Sequence, residues 1–167
     1  LKPQHRYAVI EMGMNHAGEI RYLAQLASPD VALVTNAGRA HIEYLGSEEA
    51  IARAKGEIYE DLRESAVAVM NADEAYADMW REIAGAHRRI EFGLNGRDVS
   101  ARYELHPQAS DIVLRTPDGE TQAELKAPGL HNVRNALAAA AAAVALGVPC
   151  AAIAEGLQRF SGVKGRL

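Results

Sequence analysis

Short apolar runs alternate with stretches of helical spacing over the first part of the chain. The run YAVIEM at residues 7–12 predicts a buried strand ending in the carboxylate of Glu11, with Gly13 behind it. Residues 17–27 set Ile20, Leu23, Ala24 and Ala27 on one helical face, and Pro29 stops that helix. Residues 31–35 predict a second strand that turns polar at Thr35 and Asn36. A helix is expected from Ser47, with Ser47 as N-cap and Glu48 and Glu49 at the positive end of its dipole. Residues 66–70 predict a third strand, 75–86 a helix and 89–92 a short fourth strand closed by Gly93. Strands alternating with helices in this way predict the α/β class, a mostly parallel sheet with helices on both faces.

The period then shortens to two. Residues 99–105, 112–116 and 121–126 alternate apolar with polar, and Pro117, Asp118 and Gly119 make a turn between the last two runs. A small antiparallel sheet with one wet face is expected there. An alanine-rich helix over about residues 132–146 follows, stopped by Gly147 and Pro149, and residues 151–159 predict a last short helix.

Composition narrows the function classes. The 167 residues are 49% apolar and 24% charged, the balance of an ordinary globular domain. A net charge of -4 with no run of like charges argues against a nucleic-acid binder that relies on a broad basic surface. Cys150 is the single cysteine, so neither an internal disulfide framework nor a cysteine-based zinc site is available, and a reducing, cytoplasmic setting is the simpler expectation. No apolar stretch has the length of a membrane span. The start at Leu1 and the end at Gly165, Arg166 and Leu167 are those expected of an excerpt from a longer protein.

One position breaks the pattern. In the helix after Ser47, the residues Ile51, Ile58 and Leu62 recur at helical spacing, and Lys55 falls in the middle of that stripe. A lysine there must snorkel, lose its charge or be chemically converted, because an unpaired ammonium in an apolar setting is costly. Ligands of an open parallel sheet bind beyond the carboxyl ends of its strands, and Glu11, Asn36 with His41, and Asn71 with Asp73 all fall at such ends. Glu11 and His41 suit magnesium or manganese. Each also has an ordinary explanation: a solvated strand end for Glu11, a loop histidine for His41, helix caps for Asn71 and Asp73. Gly129, Leu130, His131, Asn132 and Asn135 form a second cluster. Asn132 reads as an N-cap, whereas Asn135 costs helix propensity among alanines and reads as a ligand contact. Arg166 is either a solvated tail residue or a phosphate clamp.

The segments EMGMNHAGEI from Glu11, TNAGRAHIEYLGS from Thr35, AKGEI from Ala54, NADE from Asn71, GLHNVRNALAA from Gly129 and GRL from Gly165 resemble, in order and spacing, the central ATPase domain of the Mur ligases. The branch they most resemble adds D-alanyl-D-alanine to a UDP-muramoyl tripeptide. The resemblance implies a P-loop, Rossmann-like middle domain over residues 1–162 and the start of a linker to a C-terminal domain over 163–167. It implies that Glu11 holds the magnesium bridging the ATP phosphates, that His41 binds a second magnesium, and that Lys55 carries a CO2-derived carbamate serving that second site. It implies nucleotide contacts for Asn36, His131, Asn132 and Asn135, and an interdomain phosphate contact for Arg166. The implied reaction runs through an acyl phosphate, in the cytoplasm of a bacterium, as part of peptidoglycan synthesis.

The family's phosphate-binding loop, G-x-x-G-K-S/T, is not in these residues and is expected just upstream of Leu1. The domains that hold the UDP-sugar and close over ATP are expected outside the chain, so the fragment alone is expected to be inactive with weak or no ATP affinity. Glu74 stands where many relatives have Asp, and Lys164 where Pro is common. Two rivals stay open at this point: another Mur-type or folylpolyglutamate-type amide ligase, and a noncatalytic nucleotide-binding domain of the same fold.

Overall fold

The computed structural model describes residues 2–38 and 42–160. Three strands, β1 (Val31–Val34), β2 (Val67–Asn71) and β3 (Arg88–Phe92), lie side by side in that order and all run parallel. The register pairs Leu33 with Val69 and Val69 with Ile90. All five residues of β2 are buried, the apolar run of residues 67–70 being covered on both faces and closed by the polar Asn71.

The alternation of side chains divides two cores between those faces. Val67, Val69, Ile90 and Phe92 point to one side and pack with Val133, Leu137, Ala140 and Ala141 of a long helix (Leu130–Ala145). Ala32, Val34, Ala68 and Met70 point to the other, against Ala52, Tyr59 and Trp80. Those three belong to a helix (Glu48–Gly56), the 3-10 turn that continues it (Glu57–Tyr59) and a further helix (Ala77–Ala84). In chain order the helices are α1 (Glu19–Ala27), α2 (Ile42–Leu45), α3 (Glu48–Gly56), α4 (Ala77–Ala84), α5 (Leu130–Ala145) and α6 (Cys150–Arg159). The alanines of α5 present little bulk and let it sit close to the sheet.

The second sheet is antiparallel, in the order β4 (Ser100–Leu105), β5 (Ser110–Thr116) and β6 (Gly119–Leu125). Burial in β5 alternates strictly at Ser110, Ile112, Leu114 and Thr116, which gives the expected wet face. The inner face joins the α5 core, and α6 packs on β6.

Three expectations are corrected. Residues 7–12 form no strand: the segment has no regular structure and residues 7–11 are exposed, with Val9 fully accessible at 101%. An apolar run becomes a strand only where a sheet edge takes up its backbone groups, and among the described residues β1 is the end of its sheet and pairs with β2 alone. Asn132 is not an N-cap, because α5 begins at Leu130 with Gly129 in the cap position. Asn71 and Asp73 do not cap α4 either, since that place belongs to Tyr76 and no side chain bonds the helix end there. Ser47 does cap α3, its hydroxyl accepting from the Ala50 N–H at 3.1 Å.

Candidate functional site

The carboxyl edge of the parallel sheet is tied together by side chains of the segment leaving β2, which bond the backbone of the loops after β1 and β3. Asn71, at the end of β2, is buried, and its amide donates to the Thr35 carbonyl at 3.0 Å while its oxygen accepts from the Asp73 N–H at 3.0 Å. Asp73 turns the other way and accepts from the Leu94 N–H at 2.6 Å, which pins the loop after β3. Gly93 makes that possible: a Cβ there would lie 2.8 Å from the Asp73 carboxylate. Glu74 reaches the loop after β1, accepting from the Ala37 N–H at 3.2 Å.

Lys55 arrives at this edge from the last turn of α3. Its amine donates to the Asn36 carbonyl at 2.9 Å. The side chain is half-buried, and burial lowers its pKa, an effect opposed by the nearby carboxylate of Glu74. Gly38 sits over the same spot with a positive φ of 66°, and a Cβ on it would come within 3.8 Å of the Lys55 amine. Lys55 has therefore not snorkelled freely into water, and among the described residues it has no salt bridge. It is a partly dehydrated amine held against a backbone carbonyl.

The floor under this edge is rigid. The Tyr59 hydroxyl, fully buried, accepts from the Val34 N–H at 3.1 Å and donates to the Val69 carbonyl at 2.6 Å, bridging β1 and β2 one turn beyond Lys55. Burial drives its pKa well above the usual phenol range. Trp80 of α4 donates to the Ala52 carbonyl at 2.8 Å and packs over Gly56, the residue next to Lys55.

The remaining sequence-derived residues are spread out. Glu11 is exposed in the irregular segment before α1 and makes no hydrogen bond with another described residue. Asn36 directs its amide to the Thr35 hydroxyl at 3.3 Å and is exposed. At the other cluster, Asn132 donates to the Pro128 carbonyl at 2.8 Å, a bond that fixes the loop entering α5. His131 lies across Gly129, and Asn135 is exposed on the next turn. His41 and Arg166 lie outside the described residues. Among the described residues no group of three His, Cys, Asp or Glu side chains converges on one point. A shallow cavity of about 500 Å3 lies elsewhere, among His87, Arg89, Glu91, Gly96, Arg97 and Asp98, and shares none of the Lys55 edge.

Sequence reasoning missed Glu57 and Tyr59 as organising residues. Tyr59 carries no signal beyond its aromatic type. Glu57 carries none either, since by type and position it reads as one more solvated carboxylate.

The family model for the Mur ligase middle domain matches residues 1–143. A UDP-N-acetylmuramoyl-tripeptide–D-alanyl-D-alanine ligase of Haemophilus influenzae is 42% identical across all of this chain, which covers 36% of that protein. A crystal structure of MurF from Acinetobacter baumannii superposes with a TM-score of 0.96 at 42% identity, over 100% of this chain and 37% of that one. The MurF ligase of Thermotoga maritima, solved in complex with ADP, superposes with a TM-score of 0.78 at 26% identity, over 91% of this chain and 35% of that one. The chain thus spans little more than a third of the relatives it matches. With its parallel sheet, its small antiparallel sheet and the order of its motifs, it belongs to the Mur ligase middle-domain family.

Proposed function

We propose that the chain is the ATP-handling middle part of a ligase that joins D-alanyl-D-alanine to a UDP-muramoyl tripeptide, acting in the bacterial cytoplasm. In this reading residues 1–162 are that domain and 163–167 begin the link to the next. The observation that carries it is Lys55, an amine drawn out of water onto the sheet's carboxyl edge beside Glu74 and bonded to Asn36. The relatives' printed activity supplies the substrates.

The donor chemistry fits magnesium. Glu11 offers a hard carboxylate with no competing partner among the described residues, and burial leaves the Lys55 amine more readily unprotonated. An unprotonated amine attacks CO2 through its lone pair and gives up one proton, leaving a carbamate anion in place of a cation. Glu11, His41 and that carbamate would hold the magnesium ions, whose part is to neutralise phosphate charge. Asn36, His131, Asn132 and Asn135 would hold the nucleotide, with Asn135 the freest amide to meet a planar base. Arg166 would meet the terminal phosphate from the linker side.

The reaction that follows conserves its groups. A carboxylate oxygen of the tripeptide bonds to the γ-phosphorus as ADP departs. The amino group of D-alanyl-D-alanine then bonds to the acyl carbon, phosphate leaves, and the amine loses a proton. The chain's own residues contribute placement and charge more than covalent chemistry. The test is Lys55→Ala in the complete enzyme: most of the ligase rate is expected to go, with partial recovery on adding acetate. Unchanged turnover would reduce Lys55 to a cover for the core.

A further inference from the structure

Among the described residues Glu57 is the only Asp, Glu, Lys or Arg that is buried, at 5% exposure. Its two oxygens both accept from the Gly18 N–H, at 2.7 and 2.9 Å, and one also accepts from the Arg21 N–H at 3.3 Å. Gly18 is the cap residue of α1, in a left-handed conformation with φ 88°, and has no side chain to satisfy that helix's free amides. The acceptor comes instead from the turn two residues beyond Lys55.

The contact is one part of a seam. Glu19 folds back to accept from the Asn15 N–H at 2.6 Å and the His16 N–H at 3.1 Å, so the loop before α1 is closed on itself. Met14, buried, packs with Ile20 of α1 and with Ile51 and Ala54 of α3. Arg21 bonds Glu60, and Gln25 donates to Asp61 at 3.1 Å. The segment running from Glu11 into α1 is thereby clamped to the helix that carries Lys55, with an apolar half supplied by Met14 and a charged half supplied by Glu57.

We propose that Glu57 is a positioning residue for the ligase reaction, bracing the Glu11 segment against the Lys55 helix so that the two groups hold one mutual placement. The proposal rests on the reading of Glu11 and Lys55 given above. A carboxylate is required because three acceptor contacts converge on its two oxygens. Glutamine supplies one oxygen and turns an NH2 toward the same N–H donors.

The test is E57Q in the full-length enzyme, read in three ways. Amide hydrogen exchange at Gly18 and Arg21 should quicken about tenfold, the equivalent of one charge-assisted hydrogen bond. Calorimetric affinity for Mg-ATP and the magnesium concentration that half-saturates ATP consumption should each weaken by about the same factor. KM for D-alanyl-D-alanine should stay within about twofold, because that substrate has no part in the brace. Faster exchange with unchanged Mg-ATP affinity would make Glu57 a fold brace alone and overturn the proposal, as would unchanged exchange. Should E57Q not fold, E57D keeps the charge but draws it back by one methylene, and the same split at smaller amplitude is expected. Wild-type enzyme that consumes no ATP with these substrates would sink the functional reading, while exchange and calorimetry would still decide the brace.

Discussion

Replacing Tyr59 by Phe isolates the pin beneath the candidate site. The ring is 1% exposed, so Phe keeps the packing against β1 and β2 and removes only the hydroxyl. Two backbone groups each lose one hydrogen bond together, the Val34 N–H and the Val69 carbonyl. A buried polar group left without any partner costs roughly 1–3 kcal/mol, so the pair sets an upper range of about 2–6 kcal/mol. Where the ladder register of β1 and β2 lets the two groups bond each other, the loss falls toward about 1 kcal/mol. Hydrogen exchange at Val34 under native conditions reads this directly, since its amide is the donor lost, and denaturant unfolding of the same protein gives the global value. A Y59F protein within about 0.5 kcal/mol of wild type in both would refute the reasoning, for it would mean that the hydroxyl's bonds carry no net stability. Because Thr35 and Asn36 follow Val34 directly, a loosened Val34 should also weaken the carbonyl against which Lys55 is held. The ligase rate is expected to fall more than the substrate KM values rise.

Gly56→Ala should destabilise by about 1–3 kcal/mol, because the added methyl would lie 2.8 Å from Ile83 Cδ1 and 3.0 Å from the Trp80 ring; a melting midpoint equal to that of wild type would show that α4 simply moves aside. The Glu19 carboxylate, holding the Asn15 and His16 amides, is drawn down from 4.5 to about 2. Its folded pKa is the lower one, so its contribution to stability is present above the ordinary carboxylate range and is lost as pH falls through about 2. The amide shifts of Asn15 and His16 should therefore titrate near the lower value, and a midpoint near 4.5 would break the assignment.

The fold was legible where burial on two faces leaves a local mark. The runs at β1 and at residues 67–70 of β2 are apolar without interruption, and the period-two pattern of β5 names its own wet face. Residues 7–12 read equally well as a strand, and the structure leaves them without regular structure because strand formation depends on a neighbouring edge that no local pattern encodes. The same limit applies to Asn132. An asparagine near a helix start looks like a cap from sequence, yet Gly129 takes the cap position three residues earlier and the amide is spent on Pro128.

The site was legible through a misfit, and what it lacked was partners. Lys55 stood out because helical spacing put a cation among Ile51, Ile58 and Leu62, and the structure keeps the tension by leaving the amine half-buried on the Asn36 carbonyl. Glu57 is the opposite case. Two residues further along, a carboxylate on a short turn reads from sequence as one more surface charge, the usual fate of glutamate. It is buried because α1 begins with a glycine that offers amides and no acceptor, and that need arises 39 residues away. Local patterns report a charge that is out of place with its own neighbours. A charge that answers a distant helix end conflicts with nothing nearby, so only the packed chain reveals that Lys55 and the segment after Glu11 are joined through Glu57.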